Sequence, residues 1–219
     1  FSDKDSYRTW LQRFKLGNIT QATLTKGYQE AFLGVDSGST TTKVVLLNEK
    51  RQLLFHYYAP NGGKPIETVT MALQQLANQC QESGTDLNIV KACATGYGEE
   101  LIKQAFAMDY GVIETIAHFI AAQEITPQVS FILDIGGQDI KAIYVRNGVI
   151  NQIEINEACS SGCGSFLESF AQTIGYTTEQ FAQIACLAPS PCDLGTRCTV
   201  FMNSKVKSSL SNGDSVENV

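Results

Sequence analysis

A short stretch near the start of the chain, residues 32–43, decides the fold; it reads FLGVDSGSTTTK. Its apolar beginning predicts a buried strand that ends at Asp36, and the residues that follow are small and polar, as in a tight turn. A second stretch, residues 131–141, repeats this design and reads FILDIGGQDIK, with its aspartate 98 positions after Asp36. Two strands that each end in an aspartate and a small-residue turn indicate an internal repeat.

Further strands and helices follow each copy of this pattern. The additional predicted strands are 43–47, 53–58, 89–94, 141–145 and 149–155. The first two complete an antiparallel meander, Asn147-Gly148 predicts a hairpin turn between the last two, and Pro65 suits the first turn of a helix. The order predicts two βββα-type halves and therefore an α/β fold.

The predicted domain organisation has three parts. Residues 1–30 contain a short amphipathic helix and a polar stretch, and we interpret them as a collar or linker. Residues 31–127 form the first half and residues 128–219 the second half, which reads as truncated in the middle of a helical hairpin.

Composition and charge exclude several classes of protein. The chain has 219 residues, of which 43% are hydrophobic and 17% charged, and this excludes a disordered chain. The net charge is −6, and the scattered basic residues argue against a nucleic-acid surface. No apolar run is long enough for a membrane span and no secretory signal is visible, so we expect a cytoplasmic protein that binds neither membrane nor nucleic acid.

The two turns offer the groups that a nucleotide needs. Backbone N–H groups in a small-residue turn can bind phosphate oxygens, and glycine lets them approach closely. A carboxylate at the end of the strand can hold Mg²⁺, usually through water. Asp36 and Asp134 stand at these positions, and the first turn adds hydroxyls and the ammonium group of Lys43.

Seven cysteines are unusual in such a chain, and their odd number disfavours a disulfide framework. Cys159 and Cys198 each precede a predicted helix, where the helix dipole stabilises a thiolate. A zinc site could instead use Cys159, Cys163 and two of Cys186, Cys192 and Cys198, or the thiols could simply be buried. Cys80 and Cys93 lie on apolar faces and are predicted to be core residues.

Several stretches together resemble a known family. They are residues 34–43, 94–98, 114–121, 134–141, 156–168 and 198–201. Here the sequence is similar to the ATPase activators of 2-hydroxyacyl-CoA dehydratases and to the ATPase subunits of benzoyl-CoA reductase. That family belongs to the actin-like ATPase superfamily, so the resemblance implies an actin-like ATPase (ribonuclease H-like) fold with both halves as ATPase subdomains.

The resemblance, together with the chemistry of the turns, assigns candidate roles in binding and hydrolysing ATP with Mg²⁺. Asp36 and Asp134 are expected to position Mg²⁺, and Gln138 is expected to orient the attacking water, as a glutamine does in other NTPases. The predicted phosphate contacts are Gly38, Ser39, Thr40, Thr41 and Lys43 from the first turn and Gly136 and Gly137 from the second.

In this family, two cysteines per subunit and two from a symmetry mate hold one 4Fe-4S cluster, which implies a homodimer. Cys159 and Cys198 are the matching positions, whereas a role for Cys163, Cys186 or Cys192 stays open. The implied function is one-electron donation, driven by ATP, to a 2-hydroxyacyl-CoA dehydratase or a related CoA-thioester reductase. The electron would come from a ferredoxin or a flavodoxin.

Two other functions remain open from the sequence. A small-molecule kinase of the same fold would need a general base, for which Asp139 and Glu157 are candidates. A non-catalytic activase-like module within a larger polypeptide is the other alternative. Family members continue with helices and a glycine-rich turn for adenosine, so we expect the chain as given to bind nucleotide poorly.

Overall fold

The computed structural model describes residues 1–13, 19–156, 163–195 and 199–219. Within these ranges the chain alternates helices and strands in an α/β order. The elements are α1 (Lys4–Arg13), β1 (Gly27–Ser37), β2 (Thr41–Leu47), β3 (Leu53–Pro60), α2 (Pro65–Ser83), β4 (Thr85–Thr95), α3 (Glu99–Ala105), β5 (Tyr110–Gly111), α4 (Glu114–Ile125), β6 (Phe131–Ile135), β7 (Ile140–Arg146), β8 (Val149–Asn156), α5 (Gly164–Thr173), α6 (Thr178–Cys186) and α7 (Thr199–Ser211). The βββα order occurs twice, as predicted.

The chain divides into two compact units, each made of separate segments. The first-turn unit, which contains Asp36, comprises Gly17–Ile132 and Val145–Ile150. The second-turn unit, which contains Asp134, comprises Phe1–Leu16, Leu133–Tyr144 and Asn151–Val219.

A five-stranded sheet with the order β3-β2-β1-β4-β5 organises the first-turn unit. Strand β1 pairs antiparallel with β2 and parallel with β4, and β2 pairs antiparallel with β3. The predicted meander is therefore confirmed. Strand β1 begins at Gly27, earlier than the strand predicted from Phe32, because backbone pairing with β4 includes the polar residues Gln29 and Glu30.

One face of this sheet forms the core of the first-turn unit. Leu33, Val35, Val44 and Leu46 are buried at alternate positions of β1 and β2, as the two-residue period of a strand requires. Helix α2 covers them with a stripe of buried residues: Val69, Ala72 and Leu76. Pro65 begins α2 as predicted, and Gly84 ends it in the left-handed conformation, with a φ of 68°.

Residues 20–24 contribute to the same unit. Thr20 accepts a hydrogen bond from the amide of Leu53, and the amide of Ala22 donates to the carbonyl of Leu53 at 2.9 Å. Ala22 and Leu24 also pack against the core. Backbone hydrogen bonds therefore hold this part of the predicted linker along β3. Its polar sequence does not predict this pairing.

Strands β6, β7 and β8 form a three-stranded sheet in that order. The predicted hairpin turn is confirmed, since Asn147 and Gly148 both have positive φ angles, 54° and 75°. In the second-turn unit, Phe170 of α5 meets Phe181 of α6 edge to face at 5.9 Å. Helix α6 begins at a capping box in which the Thr177 hydroxyl accepts from the Gln180 amide.

None of the helices in the described part of the chain is both long enough and apolar enough to cross a membrane.

Candidate functional site

The first turn carries an ion pair where β1 ends. Asp36 lies directly opposite Lys43 across the β1–β2 ladder, and Lys43 Nζ is 3.0 Å from Asp36 Oδ2. The side chain of Lys43 is 38% exposed and that of Asp36 is 20% exposed. The lysine therefore neutralises the carboxylate while its ammonium group remains accessible to a bound anion.

Asn61 holds the first turn closed. The Gly38 amide donates to the Thr41 carbonyl at 2.9 Å, and the Asn61 side-chain amide donates to the Gly38 carbonyl at 2.8 Å. The backbone amide of Asn61 also donates to the Thr40 carbonyl at 2.9 Å. Asn61 is only 6% exposed, so it holds the turn from the interior of the protein. Ser39, at the tip of the turn, is half-buried.

Two glycines after β4 approach the end of β1 closely. Gly96 has a φ of +88°, and a Cβ there would lie 2.6 Å from the Ser37 carbonyl and 2.7 Å from Asp36 Oδ1. A Cβ on Gly98 would lie 2.6 Å from Ser37 Oγ, and the Gly98 amide donates to the Ser37 carbonyl at 2.8 Å. Glycine is therefore required at position 96, beside the Asp36 carboxylate, whereas a Cβ at position 98 would have to displace the Ser37 side chain.

One carboxylate oxygen of Asp36 is left without a hydrogen-bond partner among the described residues. Asp36 Oδ1 is buried and accepts no hydrogen bond from the described residues, and the same holds for the hydroxyls of Ser37 and Thr42. An unsatisfied buried carboxylate oxygen is costly unless a cation or a water occupies it. The residues present therefore fit a hydrated divalent cation at this position.

The second turn closes through the same hydrogen bond as the first. The Gly136 amide donates to the Asp139 carbonyl at 2.9 Å. The start of α5 is tied to this turn, because the amides of Gly164 and Ser165 donate to the carbonyls of Gly136 and Gly137 at 2.9 and 3.1 Å. The Ser165 hydroxyl donates to the Gly137 carbonyl as well.

The two catalytic candidates of the second turn differ in exposure. Asp134 is half-buried on β6, whereas Gln138 is exposed at the tip of the turn. Beneath the turn, Lys141 Nζ lies 2.6 Å from Asp139 Oδ2 and 3.8 Å from Asp134 Oδ2. Because Asp139 is buried and paired with Lys141, its carboxylate is not placed to take a proton from a kinase substrate.

The cysteines divide into described and undescribed positions. Cys159 and Cys198, the predicted cluster ligands, lie outside the described residues, as does Glu157. Cys163 is fully buried at the N-cap of α5. In the part of the chain that the structure covers, Cys163, Cys186 and Cys192 do not converge to metal-binding distance.

The thiols of Cys80 and Cys93 are half-buried. Burial raises the pKa of Cys80. Burial, and secondarily the charge of Glu99, raises the pKa of Cys93. Burial therefore favours the neutral thiol at both positions. The predicted core position is met only in part, because Cys80 packs against the core of the first-turn unit while Cys93 is half-buried on β4.

Sequence reasoning missed several residues that shape the two turns. They are Asn61, Gly96, Gly98, Lys141 and Ser165. The repeat itself contained one usable signal, because the 98-residue offset that relates Asp36 to Asp134 also relates Lys43 to Lys141. The sequence contains no comparable signal for Asn61, which directly follows β3 and contacts the turn through its side chain.

The repeated βββα order, with an aspartate and a small-residue turn after the first strand of each half, is that of the actin-like ATPase fold. The chain belongs to the BadF/BadG/BcrA/BcrD ATPase family, whose model matches residues 33–219. This confirms the predicted fold, the resemblance and the prediction of an ATPase.

Individual relatives carry more specific descriptions. The chain is 33% identical over 190 residues to the activator of lactoyl-CoA dehydratase of Anaerotignum propionicum, covering 85% of this chain and 70% of that protein. It is 29% identical over 184 residues to the (R)-2-hydroxyglutaryl-CoA dehydratase activating ATPase of Acidaminococcus fermentans, covering 83% and 68%.

A solved structure is similar throughout the matched region. The activator of the 2-hydroxyisocaproyl-CoA dehydratase from Clostridium difficile, with bound ADPNP, superimposes with a TM-score of 0.76 at 27% identity. The match covers 86% of this chain and 69% of that one.

Proposed function

We propose that this chain is the nucleotide-binding part of an ATP-driven one-electron donor. Its target would be a 2-hydroxyacyl-CoA dehydratase or a related CoA-thioester reductase. Family membership and the descriptions of the relatives as dehydratase activators support the proposal. The observation that carries it is the repeated turn, closed in both halves by a 2.9 Å hydrogen bond and followed by a lysine that faces the aspartate.

The nucleotide is proposed to bind through both turns. Asp36 and Asp134 position Mg²⁺, and the unpartnered Oδ1 of Asp36 supports that role for the first turn. Exposed Gln138 orients the attacking water. The proposed phosphate contacts are Gly38, Ser39, Thr40, Thr41, Lys43, Gly136 and Gly137.

Each turn residue has a separate task in this account. The backbone of the first turn is rigid before ATP arrives because Asn61 holds it, so little order is lost on binding. Lys43 supplies a positive charge that is already oriented by Asp36. Gly137 of the second turn places no side chain between a phosphate oxygen and the backbone, whereas the Asp139 carboxylate fills the space beside Gly136.

The proposed domains follow the repeat: residues 31–127 and 128–219 are the two ATPase subdomains, preceded by residues 1–30. The second subdomain is proposed to be completed by polypeptide that the sequence as given does not contain. The 68–70% coverage of the relatives' length supports this.

The electron carrier is proposed to be a 4Fe-4S cluster held by Cys159 and Cys198 together with the same two residues of a second copy. Such a cluster supplies a one-electron redox couple. The donor set supports the proposal, because Cys198 immediately precedes α7 and thiolates are stabilised at helix starts. A ferredoxin or flavodoxin is the proposed source of the electron.

A reconstituted reaction tests this function. Anaerobically purified protein is mixed with dithionite, ATP, Mg²⁺ and the dehydratase component of a relative, and dehydration of the 2-hydroxyacyl-CoA is followed. We expect dehydration that requires ATP and is lost in Asp36→Ala but kept in Asp86→Ala, which changes an exposed carboxylate on β4. ATP hydrolysis that begins only when a sugar or carboxylic acid is added would instead identify a kinase.

A further inference from the structure

The repeat gives each half a lysine seven positions after its aspartate, but the two lysines occupy different surroundings. Lys43 is 38% exposed and its Nζ faces the Asp36 carboxylate. The side chain of Lys141 is only 6% exposed and faces two carboxylates, those of Asp139 and Asp134. The same position in the repeat therefore holds an accessible cation in one half and a buried cation in the other.

Asp139 causes this difference. It stands at the position that Thr41 occupies in the first turn, and the backbone carbonyls of both residues close their turns in the same way. The Asp139 side chain is folded back beneath its turn, since a Cβ on Gly136 would lie 2.3 Å from Asp139 Oδ1. Its other oxygen, Oδ2, lies 2.6 Å from Lys141 Nζ and holds the ammonium group inside the protein.

A buried ammonium group between two carboxylates constrains all three groups. A buried charge is strongly unfavourable unless it is paired, so Lys141 cannot leave Asp139 to reach an external phosphate without leaving Asp139 uncompensated. Lys141 also limits where the Asp134 carboxylate can lie. Residues that orient a metal-binding group in this way commonly change metal affinity 10–100-fold when they are replaced.

We propose that Lys141 and Asp139 are positioning residues for Asp134, and that Lys43 alone of the two lysines contacts the nucleotide. The inference rests on the proposed role of Asp134 beside Mg²⁺. In this arrangement Asp139 anchors Lys141, Lys141 orients Asp134, and Asp134 faces the hydrated cation. The equivalent lysines of the two halves thus have different roles: Lys43 binds phosphate and Lys141 orients a carboxylate.

Metal and nucleotide affinity separate these two roles. Mn²⁺ binding in the presence of excess ADP is measured by electron paramagnetic resonance on the full chain, and ADP binding at saturating Mg²⁺ is measured by calorimetry. Lys141→Arg, which keeps the charge but changes the geometry, is expected to weaken Mn²⁺ binding about tenfold and to change ADP affinity less than about twofold. Lys43→Met is expected to show the reverse pattern.

A double variant controls for the possibility that a single substitution of a buried charge unfolds the protein. The double variant Lys141→Met/Asp139→Asn removes both buried charges together, so neither is left uncompensated, and it should weaken Mn²⁺ binding as Lys141→Arg does. Unchanged Mn²⁺ affinity in both variants, or a loss of ADP affinity in Lys141→Arg equal to that in Lys43→Met, would overturn the inference. Wild-type protein that binds Mn²⁺ with ADP no better than Asp36→Ala would contradict the proposed nucleotide site itself, a distinct outcome.

Discussion

The amide of Gly136 donates a 2.9 Å hydrogen bond to the carbonyl of Asp139, and this bond has a counterpart of equal length between Gly38 and Thr41. Gly136 lies 98 residues after Gly38, and Asp139 lies 98 residues after Thr41. Equivalent residues of the two halves therefore share not only a sequence pattern but also the same backbone hydrogen bond. Each half presents the same closed turn at the end of its first strand.

Replacement of Asn61 tests how the first turn is held. Asn61→Ala removes the side-chain donor to the carbonyl of half-buried Gly38, so we expect the free energy of unfolding to fall by about 1 kcal/mol. The KM for ATP should also rise severalfold because the turn loses its anchor. Urea unfolding and steady-state ATPase kinetics measure both effects. Asn78→Ala, at an exposed position of α2, is the control, and equal behaviour of the two variants would refute the anchoring role.

Gly96 tests the close approach beside Asp36. Gly96→Ala places a Cβ 2.6 Å from the Ser37 carbonyl in addition to the strain of a positive φ. Gly27→Ala is a matched control, because Gly27 has a φ of +99° and a Cβ there would have no atom within 4 Å. We expect the control to lower the free energy of unfolding by about 1 kcal/mol and Gly96→Ala by about 3 kcal/mol. Similar losses in thermal unfolding would show that the contact does not matter.

A salt bridge at the sheet edge makes stability depend on pH. The Lys91 side chain, and then the Ala92 amide, lower the pKa of Asp109 by hydrogen bonding to its carboxylate. A carboxyl whose pKa is lower in the folded state stabilises the fold above its unfolded pKa, about 3.9, and this contribution disappears as the pH falls through the folded value.

The corresponding variant is Asp109→Asn. It should be less stable than wild type at pH 7, and the difference should shrink as the pH falls below about 4. Urea unfolding across this range measures it, with Asp86→Asn as a control on the same sheet. A difference that stays constant down to about pH 2 would mean that the charge of Asp109 is not the cause.

The two half-buried thiols, Cys80 and Cys93, should react slowly with alkylating reagents. Because burial raises the pKa values of Cys80 and Cys93, few thiolates are present at neutral pH, and the thiolate is the reactive form. Labelling by iodoacetamide at about pH 7.5, followed by mass spectrometry, should be at least about tenfold slower in native protein than in urea. Equal rates in both states would show that these thiols are not protected.

The sequence predicted the parts of the fold that local pattern encodes. The two aspartate turns, the Asn147-Gly148 hairpin and the start of α2 at Pro65 depend on residues close together in the chain. Contacts between distant residues were not predictable in this way. Asn61 lies 23 positions from Gly38, and nothing in its own neighbourhood indicates that its side chain will cross back to that turn.

Burial also escaped sequence reasoning. Lys43 and Lys141 are the same residue type at matching places, and only the packed structure distinguishes an accessible ammonium group from a buried one. The extension of β1 back to Gly27 has a similar origin. Its polar residues pair with β4 through backbone hydrogen bonds, and such pairing leaves no pattern of side chains in the sequence from which to predict it.

The central claim, a cluster shared between two copies of the chain, is tested most directly by iron and acid-labile sulfide. Both are measured after anaerobic purification on wild type, Cys159→Ala and the control Cys93→Ala. The account predicts about two irons and two sulfides per chain in wild type and Cys93→Ala, as four-cysteine ligation by a dimer requires, and their loss in Cys159→Ala. Zinc in place of iron, or iron that persists unchanged in Cys159→Ala, would contradict it.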